Sequence, residues 1–159
     1  MFELIESISI DASAGVAHGK AMVPVDHPLF ADHFPGRPLL AGSLLIELAA
    51  QVAGPLAEEV TKHRLNLDRW ALLGMIRDAK FLHPVSLPAS IVLHAQADRV
   101  ESSNITVSVR ADVDDEHVMR AQLVMMMSEA APEWNEAIAA REARLAIWKG
   151  RVPHEASRS

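Results

Sequence analysis

Between about Gly42 and about His63 the chain reads GSLLIELAAQVAGPLAEEVTKH, and over its first three turns apolar residues fall on almost every side of a helix. A helix of that kind has no broad face for water, so the rest of the chain must enclose it. Three residues break the pattern. Ser43, Glu47 and Gln51 are spaced four apart and form one narrow polar stripe along the cylinder. A carboxylate without a partner loses its hydration on burial, so Glu47 in this setting needs a reason. Pro55 removes the hydrogen bond to the Gln51 carbonyl and predicts a kink just past the third turn. From there Glu58, Glu59, Lys62 and His63 make the helix amphipathic.

The flanking segments read as the enclosure. Phe2 to Pro24 alternates loosely and predicts two short strands around a turn near Ala14-Gly15. Four further stretches have strand character: ALLGMIRDAKFLHPV, SIVLHAQADRV, NITVSVRADV and HVMRAQLVMMM. In the second, Ile91, Leu93, Ala95 and Ala97 share one face; in the third, Ile105, Val107, Val109 and Ala111 do. Met119, Ala121, Leu123, Met125 and Met127 share a face of the fourth, which follows the acidic turn DDEH. One-sided strands after a single enclosed helix imply an antiparallel sheet wrapped around it, an α+β architecture. The stretch APEWNEAIAAREARLAIWKG places Trp134, Ile138, Leu145 and Trp148 at helical spacings and stops at Gly150. It predicts an amphipathic helix packed on the outside, followed by a polar tail. The expected organisation is therefore one domain over 1–128, with a helical and polar appendage over 129–159.

Composition narrows the partners. Of 159 residues 50% are hydrophobic, enough for one domain with a real core, and the formal charge is −6 without a stripe of Lys or Arg, so nucleic acid is not expected. No segment has the apolar length of a membrane span and MFELIESISI lacks a basic leader region, so the expectation is a cytoplasmic protein away from membranes. The chain has no cysteine, which excludes disulfides, thiolate nucleophiles and cysteine-ligated zinc. Histidines other than His33 show no metal-ligand spacing, and no metal or cofactor is expected.

The loop VDHPLFADHFPGRP leads into the helix and is stiffened by Pro28, Pro35 and Pro38. It carries His33, and a histidine with a carboxyl is a standard acid/base pair. Spacing alone leaves two readings open: an acid/base pair of His33 and Glu47, or a histidine bonded to its own loop beside a surface glutamate. Ser43 lies in AGSLL rather than in a Gly-x-Ser-x-Gly elbow, so it is not read as a nucleophile.

The string HFPGRPLLAGSLLIELAAQ resembles the active-site signature of the bacterial 3-hydroxyacyl-acyl-carrier-protein dehydratases of the FabZ type. GMIRDAKFLHPV and the strands after it are similar to that family up to about Met127. The resemblance implies the hot-dog fold, a long helix wrapped by an antiparallel sheet. It implies dehydration of a 3-hydroxyacyl thioester to the trans-2-enoyl thioester, the substrate being carried on the phosphopantetheine arm of acyl carrier protein. His33 is then the base at C2 and Glu47 the acid at the C3 hydroxyl, supplied by opposite subunits of a dimer. The Gly42 amide polarises the thioester carbonyl, while Phe34 and Gln51 line or support the site. An apolar tunnel around Glu47 would favour the neutral, proton-donating carboxyl, which gives this glutamate its reason. A homodimer or an assembly of dimers is expected, since one sheet around one helix leaves an edge strand uncovered.

Ala41 stands where that family has Pro, Ser43 where it has an aliphatic residue, and Asp32 where Gly precedes the histidine. The chain has no tyrosine, so a tyrosine gate described for some relatives is impossible here. Two other activities fit the same outline: a hot-dog thioesterase and a non-catalytic acyl-binding partner subunit. A net acidic enzyme meeting an acidic carrier needs a local basic patch, and Arg37, Arg77 and Lys80 are the basic residues nearest the motif or on the strand after the helix.

Overall fold

The computed structural model describes residues 4–30 and 36–150. Two strands open the chain, β1 (Ile5–Asp11) and β2 (Val16–Val23), paired in antiparallel register with Ile8 opposite Gly19. Their turn lies where the sequence places it: Gly15 adopts φ 71° and its N–H donates to the Asp11 carbonyl at 2.9 Å, a backbone conformation that suits glycine. The long helix α1 (Gly42–Leu65) follows. Next come β3 (Trp70–Phe81), β4 (Ala89–Val100), β5 (Asn104–Val113) and β6 (Glu116–Ser128). A single turn of 3-10 helix at Pro132–Trp134 leads into α2 (Asn135–Trp148).

All six strands form one antiparallel sheet in the order β1-β2-β4-β5-β6-β3. The faces predicted for β4, β5 and β6 are the faces observed. Ile91, Leu93, Ile105, Val107, Met119 and Leu123 are fully buried, and against them lie Leu48, Val52, Leu56 and Val60 of α1. Burying such side chains contributes about 1.5–3 kcal/mol each relative to exposure, so this interface dominates the stability of the fold. The β5–β6 hairpin turns through Asp114 and Asp115, both at positive φ (51° and 62°), the backbone of a tight hairpin turn. Helix and sheet together are the hot-dog fold that the sequence led us to expect.

Pro55 lies fully inside α1, and the helix runs on through it to Leu65 as one element. The proline therefore does not end the helix, and Val52 and Leu56 on either side of it are buried in the core. The helix ends at Asn66, which adopts the left-handed conformation (φ 53°) and donates its N–H to the Lys62 carbonyl, a common termination. Lys62 and Arg64 occupy its last turn, where their positive charges face the negative end of the helix dipole.

The start of α1 is fixed from the other direction. Leu40 N–H donates to the Val85 carbonyl at 2.8 Å and Leu87 N–H to the Pro38 carbonyl at 3.1 Å, with Leu39 and Ser86 bridged. The segment before the helix is thereby stitched to the segment after β3. α2 packs on the outside against β1, with Leu145 and Trp148 half-buried on the core.

Candidate active site

The stripe predicted on α1 is present. Ser43 and Glu47 are exposed and Gln51 is half-buried, while Leu44, Leu45, Ile46, Leu48 and Ala49 are all buried. Gln51 Nε2 donates to Glu47 Oε1 at 2.9 Å, which orients the carboxyl and leaves Oε2 to carry a proton. Gln51 Oε1 is buried and has no hydrogen-bond partner among the described residues, so it is an acceptor awaiting a donor. A single chain does not supply the apolar enclosure expected around Glu47, because its side chain faces solvent on one side and a groove on the other.

That groove, about 500 Å³ in volume, runs from Glu47 and Gln51 between α1, the first residues of β3 and α2. Its far end is polar. Glu58 accepts a hydrogen bond from the Ala71 N–H at 2.9 Å and pairs with Arg141, whose guanidinium also lies 5.9 Å from the centre of the Trp70 ring. Burial pushes the Glu58 carboxyl above the ordinary glutamate range, opposed by the Arg141 charge and the Ala71 amide.

Gly42 occupies a different hollow. About 260 Å³ lies between the start of α1 and the end of β3, lined by Leu40, Gly42, Leu45, Phe81, Leu82 and Pro84 among others. Ala41 makes no side-chain cap, so the first-turn N–H groups of α1 point out of the helix without a side-chain acceptor. A Cβ on Gly42 would stand 2.9 Å from the Phe81 ring, so any larger residue there must displace that ring. Five residues separate Gly42 from Glu47, which at about 100° per residue places them about 140° apart around the axis. One chain thus places Gly42 and the Glu47 side chain in different hollows on nearly opposite sides of its helix, with the first-turn N–H groups directed along the axis.

The remaining expected site residues divide. His33 and Phe34, with Asp32, lie outside the described residues. Arg37 is exposed just before α1. Arg77 and Lys80 stand on the same outer face of β3, opposite Gln122 and Arg120, because an irregularity between them, with Asp78 at φ 47°, resets the alternation. A strict two-residue period puts them on opposite faces. The structure extends this patch to residues that the sequence reading missed: Lys80, Arg120, Arg110, His94 and His18 sit in register across five adjacent strands. Lys80, Arg120 and Arg110 set like charges directly opposite one another, which is unfavourable, and Asp112 partly counters them, lying 3.2 Å from Arg110 and 3.3 Å from His94. Only strand register could reveal it. Among the described residues no group of His, Asp and Glu could hold a metal ion, and no helix is long and apolar enough to cross a membrane.

The sequence profile of the FabA-like domain matches residues 1–122. The chain belongs to the FabA-like family. Among its relatives is a 3-hydroxyacyl-[acyl-carrier-protein] dehydratase FabZ of Chlamydia pneumoniae, 32% identical over 77% of this chain and 80% of that protein. Another, from Fusobacterium nucleatum, is 27% identical over 80% of this chain and 88% of that protein. Solved structures show the same fold. The protein smu.793 of Streptococcus mutans, bound to acetyl CoA, superposes with a TM-score of 0.63 at 14% identity, covering 80% of this chain and 91% of that one. A chain of the dehydratase heterocomplex ApeI:P from Xenorhabdus doucetiae does so with a TM-score of 0.56 at 18% identity, over 79% and 99%. The FabA-like match stops before α2, which therefore lies outside the part of this chain that the family profile describes.

Proposed function

We propose that this FabA-like chain dehydrates (3R)-3-hydroxyacyl thioesters on acyl carrier protein to trans-2-enoyl thioesters, in fatty-acid or related acyl-chain biosynthesis. Its FabZ-named relatives support the reaction. The observation that carries it to named residues is the Glu47–Gln51 pair, a polar stripe at the mouth of a groove on an otherwise apolar helix.

His33 takes a proton from C2 of the acyl chain, and the electrons left behind spread onto the thioester carbonyl. The N–H of Gly42, at the positive end of α1, stabilises the oxygen as it gains charge. The C3–O bond then breaks, and the Glu47 carboxyl gives its proton to the departing hydroxyl, which leaves as water. Passage of a proton from imidazolium back to carboxylate resets the enzyme. The substrate hydroxyl has a natural acceptor in Gln51 Oε1 before it leaves, and the family resemblance assigns Phe34 a lining or supporting role. Elimination of water needs two proton transfers and a polarised carbonyl, and no cofactor takes part in these steps.

The opposed directions of Gly42 and Glu47 support a homodimer in which one copy supplies His33 and Gly42 and the other supplies Glu47. Arg37, Arg77 and Lys80, joined by Arg120, form the basic patch that docks the carrier protein.

Incubation with 3-hydroxyacyl thioesters, following enoyl absorbance and free thiol together, tests the reaction. Enoyl product without thiol is expected, and Glu47→Gln or His33→Ala lowers kcat by about 10²–10⁴-fold, the range for loss of a general acid or base. Thiol release would make the chain a thioesterase, and neither product would make it a non-catalytic acyl-binding subunit.

A further inference from the structure

The stripe on α1 does not stop at Gln51. Gly54 and Glu58 continue it at helical spacing, and α2 lies along this continuation, tied down by ion pairs from Arg141 to Glu58 and from Lys149 to Glu59. The groove between them is walled by small residues, Ala50 and Gly54 on α1 facing Ala137 and Ala140 on α2, with Leu73 and Met125 on the sheet side. It is kept open by what is missing. A Cβ on Gly54 would come within 3.0 Å of the Arg141 guanidinium, and larger side chains at positions 137 or 140 would project into the same space.

We propose that α2, which lies beyond the family match, closes this groove over the hydrocarbon tail of the substrate and sets the length of acyl chain the enzyme accepts. The proposal rests on the dehydratase reading, which places the hydroxyl-bearing carbon at Glu47. From Glu47 to Gly54 is about 10 Å along the axis at 1.5 Å per residue. An extended chain advances about 1.2 Å per bond, taking a residue rise of about 3.6 Å over three bonds, so the groove holds about eight bonds beyond the reacting carbon. Longer tails meet the Arg141–Glu58 pair, where an apolar end would separate two partly buried charges. Beyond the Glu47–Gln51 mouth, and with Arg144 as the other charged residue beside Arg141, the walls are mostly apolar, with Ala50, Ala71, Leu72, Leu73, Met125 and Ala140 suiting methylene groups.

The test uses the full chain and pantetheine thioesters of 3-hydroxybutanoyl, 3-hydroxyoctanoyl, 3-hydroxydecanoyl and 3-hydroxyhexadecanoyl groups. We expect kcat/KM to rise to the decanoyl substrate and fall roughly tenfold or more for hexadecanoyl. Ala140→Phe, at an exposed helix position that tolerates the change, lowers kcat/KM for the decanoyl substrate about tenfold and leaves butanoyl within twofold. Binding gives an independent readout, because Trp148 lines the groove. Decanoyl pantetheine, which has no hydroxyl on its acyl chain to lose, should change the part of the fluorescence that Trp148→Phe removes, and butanoyl pantetheine should not. An unchanged chain-length profile in Ala140→Phe, or an equal loss at every length, overturns the proposal even if dehydration is confirmed. If no thioester is dehydrated but decanoyl pantetheine still perturbs Trp148 and Ala140→Phe weakens it, the dehydratase reading fails and the groove stands. Absence of both signals removes both.

Discussion

The sheet has two edges, and the chain treats them differently. β1 is short, alternates buried Ile5 and Ile8 with exposed Glu6 and Ser9, and has α2 packed against it. β3 is longer and apolar on both faces from Trp70 to Ile76, yet Leu72 and Met75 are each 51% exposed and Ile76 is exposed beside them. An edge strand presents unpaired backbone groups, and proteins blunt it with charge, brevity or cover unless it is meant to pair. Among the described residues the chain covers its β1 edge with α2 and leaves the β3 edge open, with the Glu47 groove at the start of β3 and the Gly42 hollow at its end. In the proposed homodimer, one second copy would meet both the open edge and the Glu47 site.

The largest expected effect comes from breaking that asymmetry. Ile76→Lys places a charge in the middle of the β3 edge, and it should convert the proposed dimer to monomer in sedimentation and lower kcat by at least about 10²-fold, as does loss of a catalytic group. Ser9→Lys, on the β1 edge, should change neither. A monomeric, fully active Ile76→Lys would separate the edge from the site.

Gly42→Ala probes the same side at closer range. Its methyl group meets the Phe81 ring at 2.9 Å, an overpacking cost of about 1–3 kcal/mol, and moving the first turn should cost about tenfold in kcat through the carbonyl contact. Phe81→Leu in the same chain should restore part of it. A Gly42→Ala enzyme with unchanged kcat would remove this amide from the reaction.

A smaller effect is expected at the basic patch. Arg37→Glu should raise KM for carrier-borne substrate several-fold while sparing a small pantetheine thioester, with the difference shrinking as salt screens the contact. Equal losses on both substrates would make Arg37 a support of the catalytic loop.

The smallest effect belongs to Glu58, where the start of β3 and α2 meet. Its carboxyl binds a proton more tightly in the fold than the ordinary glutamate value of 4.5, chiefly through burial. The native state therefore holds more proton than the unfolded chain across the window just above that value. The linked stability is fully present below it and is lost as pH rises through the raised value. Denaturant midpoints measured across this window should show a downward slope in the native chain relative to Glu58→Gln. Parallel curves would mean that Arg141 cancels the burial.

Much of the fold is legible in the residues because its signals are local. The all-round apolar run predicts an enclosed helix, two-residue alternation assigns the inner faces of β4, β5 and β6, and Gly15 and Asp114-Asp115 mark turns that their backbones then adopt. The Glu47 stripe is equally readable, since a four-residue spacing is a property of one helix. Its enclosure is not, because the cover comes from α2 and β3, both distant in sequence, and in our proposal from another copy. Arg77 and Lys80 show the limit most clearly. Local period separates them, and only the pairing of β3 with β6 tolerates the irregularity at Asp78 that brings them together. The row from Lys80 to His18 exists only in cross-strand register. The sequence alone determined which elements form and which side of each faces the core, because propensity and period act within a few residues. The tertiary structure decided which distant residues share a groove, an edge or a charged row, because that follows from register and docking between elements.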